Sequence, residues 1–254
     1  MRSEPYTTSV DLLTGLAPQR VWSLVITIFG DLAQEKGQWL AGPTLTVMLA
    51  EMHVKPDAVR VALHRLRSDG WLTSEKAGRT SRHKLAAKGL KESQAATPII
   101  YGAPKDMAKS WHIALISDDL EGPRETMQKA GYTLLHGRCY VGSDASRPPA
   151  TALVLRPENA PDWILGSLHP EPLTGEFETL HTALEDVEGL LSSDLSLTDM
   201  QIAVLRALIV HNWRRLVLKH VDLPAELFDE RWRGHACREA VLRLLERLPK
   251  PQLA

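Results

Sequence analysis

The 254-residue chain has only two cysteines, Cys139 and Cys237. Two are too few for a disulfide framework and read as buried, reduced thiols. No uninterrupted apolar run reaches the ~18 residues that a membrane-spanning helix needs. The first residues, MRSEPYTTSVDLL, lack the charged-then-apolar order of a secretory signal. The expectation from these absences is a cytoplasmic protein with no membrane partner. Catalytic signatures are missing as well: the chain has no HExxH, P-loop, GxSxG or GxGxxG. None of the ten histidines pairs with cysteine at zinc spacing, and His235 and Cys237 are too close together to form a usual zinc pair. No repeat or low-complexity tract is present. A binding protein without catalytic residues, metal or cofactor is therefore expected. With 254 residues and an ordinary 44% hydrophobic content, two or three domains with a real core can form.

The whole chain carries a net charge of only −1, but the charge is unevenly placed. Lys55 to Lys91 holds ten Lys/Arg against three acids, a net of +7. Glu92 to Gln201 holds seven Lys/Arg against seventeen acids, a net of −10. A basic head on an acidic body argues against a generally sticky cation and for one anionic partner at one place.

Residues 40–91 read as helix, tight turn, helix and short hairpin, the order of a winged helix-turn-helix. The first helix spans 43–52, with Pro43 and Thr44 at its start. The second spans 56–69. Pro56 suits its first turn, and Asp57 complements the positive end of the helix dipole. Val59, Ala62, Leu63 and Leu66 form its apolar stripe. Arg60, Val61, His64, Arg67 and Ser68 lie opposite, with Arg65 on the flank, and Gly70 ends the helix. An arginine on that face can pair bidentately with guanine. Residues 71–76 and 81–85 make the wing, turning at Ala77-Gly78-Arg79-Thr80. The expected DNA contacts are Thr44, Lys55, Arg60, His64, Arg65, Arg67, Lys76, Arg79, Arg82 and Lys84, with double-stranded DNA as the partner.

Elsewhere the reading is coarser. Residues 1–17 look like a loose polar arm. The apolar stretch 18–34 looks like a buried helix under the reading head. A linker helix covers 86–100, with Pro98 and Tyr101-Gly102-Ala103-Pro104 marking its end. Strands are expected at 111–117, 132–142 and 150–156, and helices at 121–131 and 160–168. This is most of a ferredoxin-like unit, with no visible fourth strand near 169–176. Helices are then expected at 177–191, 198–220 and 234–247. The expected fold is α+β, comprising a winged helix-turn-helix with its linker helix (1–102), a ferredoxin-like middle domain (103–176) and a helical C-terminal domain (177–254).

Two groups of residues resemble a known family. The first is SLVITIFGDLA (23–33) with DAVRVALHRLRSDGWL (57–72) and GRTSRHKLAAKGL (78–90). The second is LIVHNWRRLVLKHVDLPAELFDERW (208–232). Together they resemble the PaaX family of repressors of phenylacetic acid catabolism. The resemblance is strong at 20–102 and 205–235 and thin at 105–200. It implies a homodimeric transcriptional repressor on a palindromic operator, released by an aryl-CoA thioester such as phenylacetyl-CoA. By position, Arg60, Arg65 and Gly78-Arg79 match the DNA-reading segment. His83 stands where a wing aromatic is expected, and Arg233 stands where a proline is expected. A CoA ligand needs cations for its phosphates and an apolar slot for its acyl end. His211, Trp213, Arg214, Arg215 and Lys219 could supply both, or could instead form an ion-pair lattice against the acidic middle domain. A second function class is a metal-dependent nuclease using Asp118 and Asp119 at the end of the first middle-domain strand.

Overall fold

The computed structural model describes residues 4–103, 108–168, 171–191, 196–219, 223–228 and 230–253. Among them it shows an α+β chain of ten α-helices and two small antiparallel sheets.

The first element corrects the sequence reading. Residues 1–17 were expected to be a loose arm, yet α1 (Glu4–Gly15) is a helix. Its Thr/Ser-rich surface hides the spacing of Tyr6, Val10 and Leu13, all buried. The helix α2 (Val21–Leu32) follows and is buried nearly all round, as its unbroken apolar run implies. After the two-residue strand β1 (Leu40–Ala41) come α3 (Gly42–Glu51) and α4 (Pro56–Ser68). The turn between these two helices closes with Val54 N–H donating to Leu49 C=O at 2.9 Å, and His53 takes the left-handed position at φ +62.

Gly70, at φ +73, ends α4 in the same way, with Trp71 N–H donating to Leu66 C=O at 2.8 Å. The hairpin β2 (Leu72–Ala77) and β3 (Thr80–Leu85) turns at Gly78, φ +63, and β1 completes a sheet of order β1-β3-β2. The helix α5 (Ala87–Tyr101) leaves the hairpin. It runs through Pro98, where termination was expected, and stops at Gly102. Pro98 removes only the hydrogen bond to an exposed turn, which water can satisfy.

A second sheet of order β5-β6-β4-β7 is built from β4 (Trp111–Leu115), β5 (Tyr132–His136), β6 (Cys139–Ser143) and β7 (Leu153–Leu155). All its pairings are antiparallel. The stretch 132–142 was expected to be one strand. It is a hairpin, because Gly137 adopts φ +55 and turns the chain. That hairpin supplies the strand missing from the sequence reading, so no strand is needed near 169–176. The helices α6 (Pro123–Lys129) and α7 (Asp162–Leu168) cover opposite faces of the sheet.

The chain then forms α8 (Glu171–Leu190), α9 (Asp199–Val217), a 3-10 turn at Ala225–Leu227 and α10 (Gly234–Arg247). Helix α8 starts before the expected residue 177, with Pro172 in its first turn. A reciprocal capping box starts α9. Thr198 Oγ1 accepts from Gln201 N–H, and Gln201 Oε1 accepts from Thr198 N–H.

One continuous core runs from Tyr6 to Leu248 and joins the helices on both sides of the second sheet in sequence. It is crossed by a buried ion pair. Arg206 donates to both oxygens of Asp31 at 2.9 and 3.0 Å and also to the carbonyls of Leu245 and Leu248. Tyr101 OH donates to Asp31 Oδ1 at 2.9 Å. α2, α5, α9 and the end of α10 thus meet at one ion pair. Such a pair contributes more to geometric uniqueness than to net stability, provided every polar atom is satisfied.

Candidate nucleic-acid interface

The front of α4 is left open by the packing of its back. Val59, Ala62, Leu63 and Leu66 are buried, while Arg60, Val61, His64, Arg65 and Arg67 are exposed. Val61 is 69% exposed, an apolar side chain kept in solvent between two polar neighbours. The front of α4, the start of α3 and the far strand of the hairpin enclose an open cleft of about 760 Å³. Arg60, His64, Arg67, Arg79 and Ser81 line it. Arginines thus enter from two elements, the helix and the hairpin tip.

The width of this cleft is set by Gly42. A Cβ there would lie 2.9 Å from Ser81 Oγ and 3.1 Å from the Ser81 carbonyl, so only glycine lets α3 approach β3 this closely. Beside it, His83 is buried and bridges two serines, with Nδ1 2.6 Å from Ser74 Oγ and Nε2 3.1 Å from Ser81 Oγ. Burial, then the Arg67 charge, lower its pKa, so a neutral imidazole staples the hairpin to itself.

Strand alternation divides the hairpin cations between two faces. Arg79 is at the cleft. Arg82 and Lys84 lie on the opposite side of β3 from His83, over the Trp39 ring at 4.6 and 4.4 Å. Arg82 also pairs with Glu75, and Lys76 is exposed on β2. Arg60 pairs with Asp57 one turn back on α4, and Arg65 lies over Trp22 at 5.5 Å with Asp69 at 3.6 Å. Lys55 is exposed just before α4, and Thr44 is half-buried on α3. The ten residues expected at DNA therefore fall into a cleft group (Arg60, His64, Arg67, Arg79) and a surrounding group (Thr44, Lys55, Arg65, Lys76, Arg82, Lys84). Sequence reasoning missed Pro43, Thr46, Thr80 and Ser81, which also line the cleft. It missed Trp39 too, although an indole just ahead of β1 is a visible signal for a surface that orders cations.

The five residues expected at an effector are not on one surface. His211 is buried, with Nδ1 3.0 Å from Thr27 Oγ1. Thr27 Oγ1 also accepts from Arg214 Nη1 at 3.0 Å and donates to the Ser23 carbonyl. Its single proton is thereby used, so His211 Nδ1 carries the hydrogen of that bond. Trp213 is buried on another side of α9, and its Nε1 donates to the Ile100 carbonyl at 2.9 Å. Arg215 meets Glu176 of α8 at 2.9 Å, with Lys219 3.9 Å from the same carboxylate. These contacts fall on three different neighbours of α9.

Asp118 and Asp119 follow β4 in an exposed turn. Asp118 Oδ1 lies 2.5 Å from Arg138 Nε. Among the described residues no group of three His, Cys, Asp or Glu could hold a metal ion. Cys237 is buried, and burial pushes its thiol up to about 12. Cys139 is only partly buried, unlike the expectation for both thiols.

A basic cleft between a helix front and a hairpin tip, on a chain acidic elsewhere, is the kind of surface that nucleic-acid recognition uses. Residues 20–89 match the family described as PaaX-like protein, and residues 169–252 match the PaaX-like protein C-terminal domain, so the chain belongs to the PaaX-like family of transcriptional repressors. The chain is also 25% identical to the Transcriptional repressor PaaX of Escherichia coli (strain K12), over 91% of its own length and 81% of that protein's. Residues 20–89 contain α2 to the wing, and 169–252 contain α8 to α10, which are the two parts that share the continuous core. The second sheet lies outside both matches. Neither the geometry at Asp118 nor the comparisons support the nuclease reading. Among the described residues no helix is long and apolar enough to cross a membrane.

Proposed function

We propose that this chain represses transcription in the cytoplasm by binding a palindromic operator as a homodimer through a winged helix-turn-helix made of α3, α4 and β2–β3. The cleft where Arg60, His64 and Arg67 of α4 converge with Arg79 of the hairpin tip carries the reading. In this reading α4 enters the major groove, where Arg60 and His64 meet base edges. Arg79 meets the backbone beside it. Lys55, Arg65, Arg67, Lys76, Arg82 and Lys84 take flanking phosphates, and Thr44 orients the start of α3. The similarity to the Transcriptional repressor PaaX of Escherichia coli supports repression.

A homodimer is the expected form, because a twofold operator needs two heads at fixed spacing. The exposed Leu115, Leu153 and Leu155 on neighbouring strands of the second sheet support a second copy there. The second sheet serves as a ferredoxin-like spacer, its strand order matching that fold although no helix joins β6 to β7. The α8–α10 helices form the C-terminal part. Release by an aryl-CoA thioester such as phenylacetyl-CoA follows from the family resemblance. Of the residues first assigned to it, Arg215 and Lys219 are the two on the outer side of α9.

The test is selection of binding sites from random duplex DNA by the purified full-length chain, followed by anisotropy titration of the selected site. The expected result is an inverted repeat bound about five- to 150-fold more weakly after Arg60→Ala, the change following from the loss of about 1–3 kcal/mol at one base contact. Addition of phenylacetyl-CoA should then release the duplex. Failure to enrich any sequence would overturn the repressor reading. Enrichment without release by any aryl-CoA would remove only the effector.

A further inference from the structure

A small cavity of about 40 Å³ lies between α2, α5 and α9, with Gly30, Ser93, Ala96, Ile26, Val210 and Arg214 among its walls. It reaches the surface beside exposed Glu92. The cation in its wall is unusual. Both hydrogen bonds of Arg214 leave from Nη1, to the Ser23 carbonyl at 3.3 Å and Thr27 Oγ1 at 3.0 Å. Among the described residues nothing accepts from its Nε or Nη2, and no carboxylate lies within 4 Å.

The neighbouring charged groups do not relieve it. Asp31 is held by Arg206 on both oxygens and by Tyr101 OH. His211 is neutral at pH 7, burial and the Arg214 and Arg215 charges pulling it down to about 4. Arg215 itself pairs with Glu176. Asp31 and Arg206 neutralise one another, so half-buried Arg214 is left without an ion pair within 4 Å, with the exposed Glu92 carboxylate at the cavity mouth. A guanidinium shielded from solvent favours an anion it can grip with two donors.

Two wall residues keep the space open. Gly30 sits inside α2, where glycine costs helix stability relative to alanine. A Cβ at this position would meet nothing closer than Ser93 Oγ at 3.8 Å, so packing does not demand the glycine. Ser93 Oγ is buried, has no hydrogen-bond partner, and faces the same space. A donor, a cation and apolar walls therefore converge on a void smaller than any cofactor.

We infer that this cavity binds a short-chain monocarboxylate, its oxygens on Arg214 and Ser93 and its two- or three-carbon tail against Ile26, Ala96 and Val210. The site is separate from the DNA cleft, and its test needs no DNA. Occupancy would tie α5, which leaves the wing, to α2, which lies under α4.

The experiment is a two-dimensional amide NMR titration of the full-length chain with sodium propionate. Sodium chloride, sodium phosphate and neutral propionamide are run as controls. Amides of Gly30, Ser93 and Ala96 should shift saturably with propionate, with a Kd on the order of 1 mM. They should not saturate with any control. Ser93→Leu, which fills the void from α5, should abolish saturation. Gly30→Ala, which fits at ordinary contact distance and removes part of the space, should weaken binding several-fold. Arg214→Lys, which keeps charge but loses the fork, should weaken it about tenfold. Absence of saturation with propionate, equal response to chloride or phosphate, or undiminished binding in both Ser93→Leu and Gly30→Ala would each overturn the assignment.

Discussion

His211 links the acid tolerance of the protein to a buried ring. Burial comes first and the Arg214 and Arg215 charges second in holding its pKa at about 4, against an ordinary 6.5. The unfolded chain then binds the proton more readily than the folded one below pH 6.5. Stability should therefore be full above that value and fall as the pH drops toward 4. From the two pKa values the loss between pH 7 and pH 5 is about 2 kcal/mol. Urea unfolding at both pH values should show it, and His211→Gln should remove most of the difference. An equal pH effect in wild type and variant would place the sensitivity elsewhere. His83 shifts the same way, from burial and Arg67, so acid should also loosen the hairpin. The buried Cys237 thiol, pushed up to about 12 by burial and donating to the Phe177 carbonyl, should resist alkylation until the chain unfolds. Mass spectrometry after a brief iodoacetamide pulse should find Cys139 modified first.

At the scale of elements, the cleft depends on how closely α3 approaches β3. Gly42→Ala should push Ser81 away, destabilise by about 1–3 kcal/mol as overpacking does, and weaken DNA binding beyond what its stability loss explains. Denaturant unfolding and anisotropy on the same sample separate the two. The split hairpin gives a second test. Arg79→Ala should lower the slope of log K against log salt by about one unit. Arg82→Ala, whose guanidinium rests on Trp39 and Glu75, should lower it less. Equal slopes would mean that both hairpin faces touch phosphate alike.

The same elements show what was readable in the chain beforehand. α4 was readable because its stripe, Pro56 and Gly70 all point to one answer. The arm at 1–17 hid α1, since Thr7, Thr8, Ser9 and Thr14 mask three apolar residues whose partners lie elsewhere in the sequence. The hairpin at 132–142 was read as one strand because a lone Gly137, between apolar stretches of high strand propensity, does not announce a turn. The cations over Trp39 were found, but not their facing, which needs the pairing of β1 with β3. The five residues on α9 looked like one set because sequence spacing shows a helix and not its several neighbours.

For the whole molecule the decisive fact is the one core that the head and the C-terminal helices share. α2, which lies beneath α4, packs against α9, and Asp31 bonds Arg206 across it. The head and the C-terminal helices should therefore unfold together, in one transition seen alike by tryptophan fluorescence and far-ultraviolet circular dichroism. Asp31→Asn should cost about 3–5 kcal/mol, because it leaves Arg206 buried without its counter-charge. A fragment ending at residue 102 should fail to give a stable fold, since it exposes the face of α2 that α9 covers. A cooperative unfolding transition in that fragment would refute the shared core.

Asn212 donates through Nδ2 to the Leu13 carbonyl, a contact 199 residues apart along the chain. Together with the Thr27–His211 contact, it places the last partners of the first two helices in α9. A ribosome making this protein exposes α4 and the wing long before α9 emerges, and domains generally fold as units once complete. The newborn head must wait, incompletely packed, for nearly the whole message to be read. Closing such distant contacts is slow, which makes the nascent chain a natural client for chaperones. Truncated translation products should then lack a packed head, so only finished chains would carry a formed cleft.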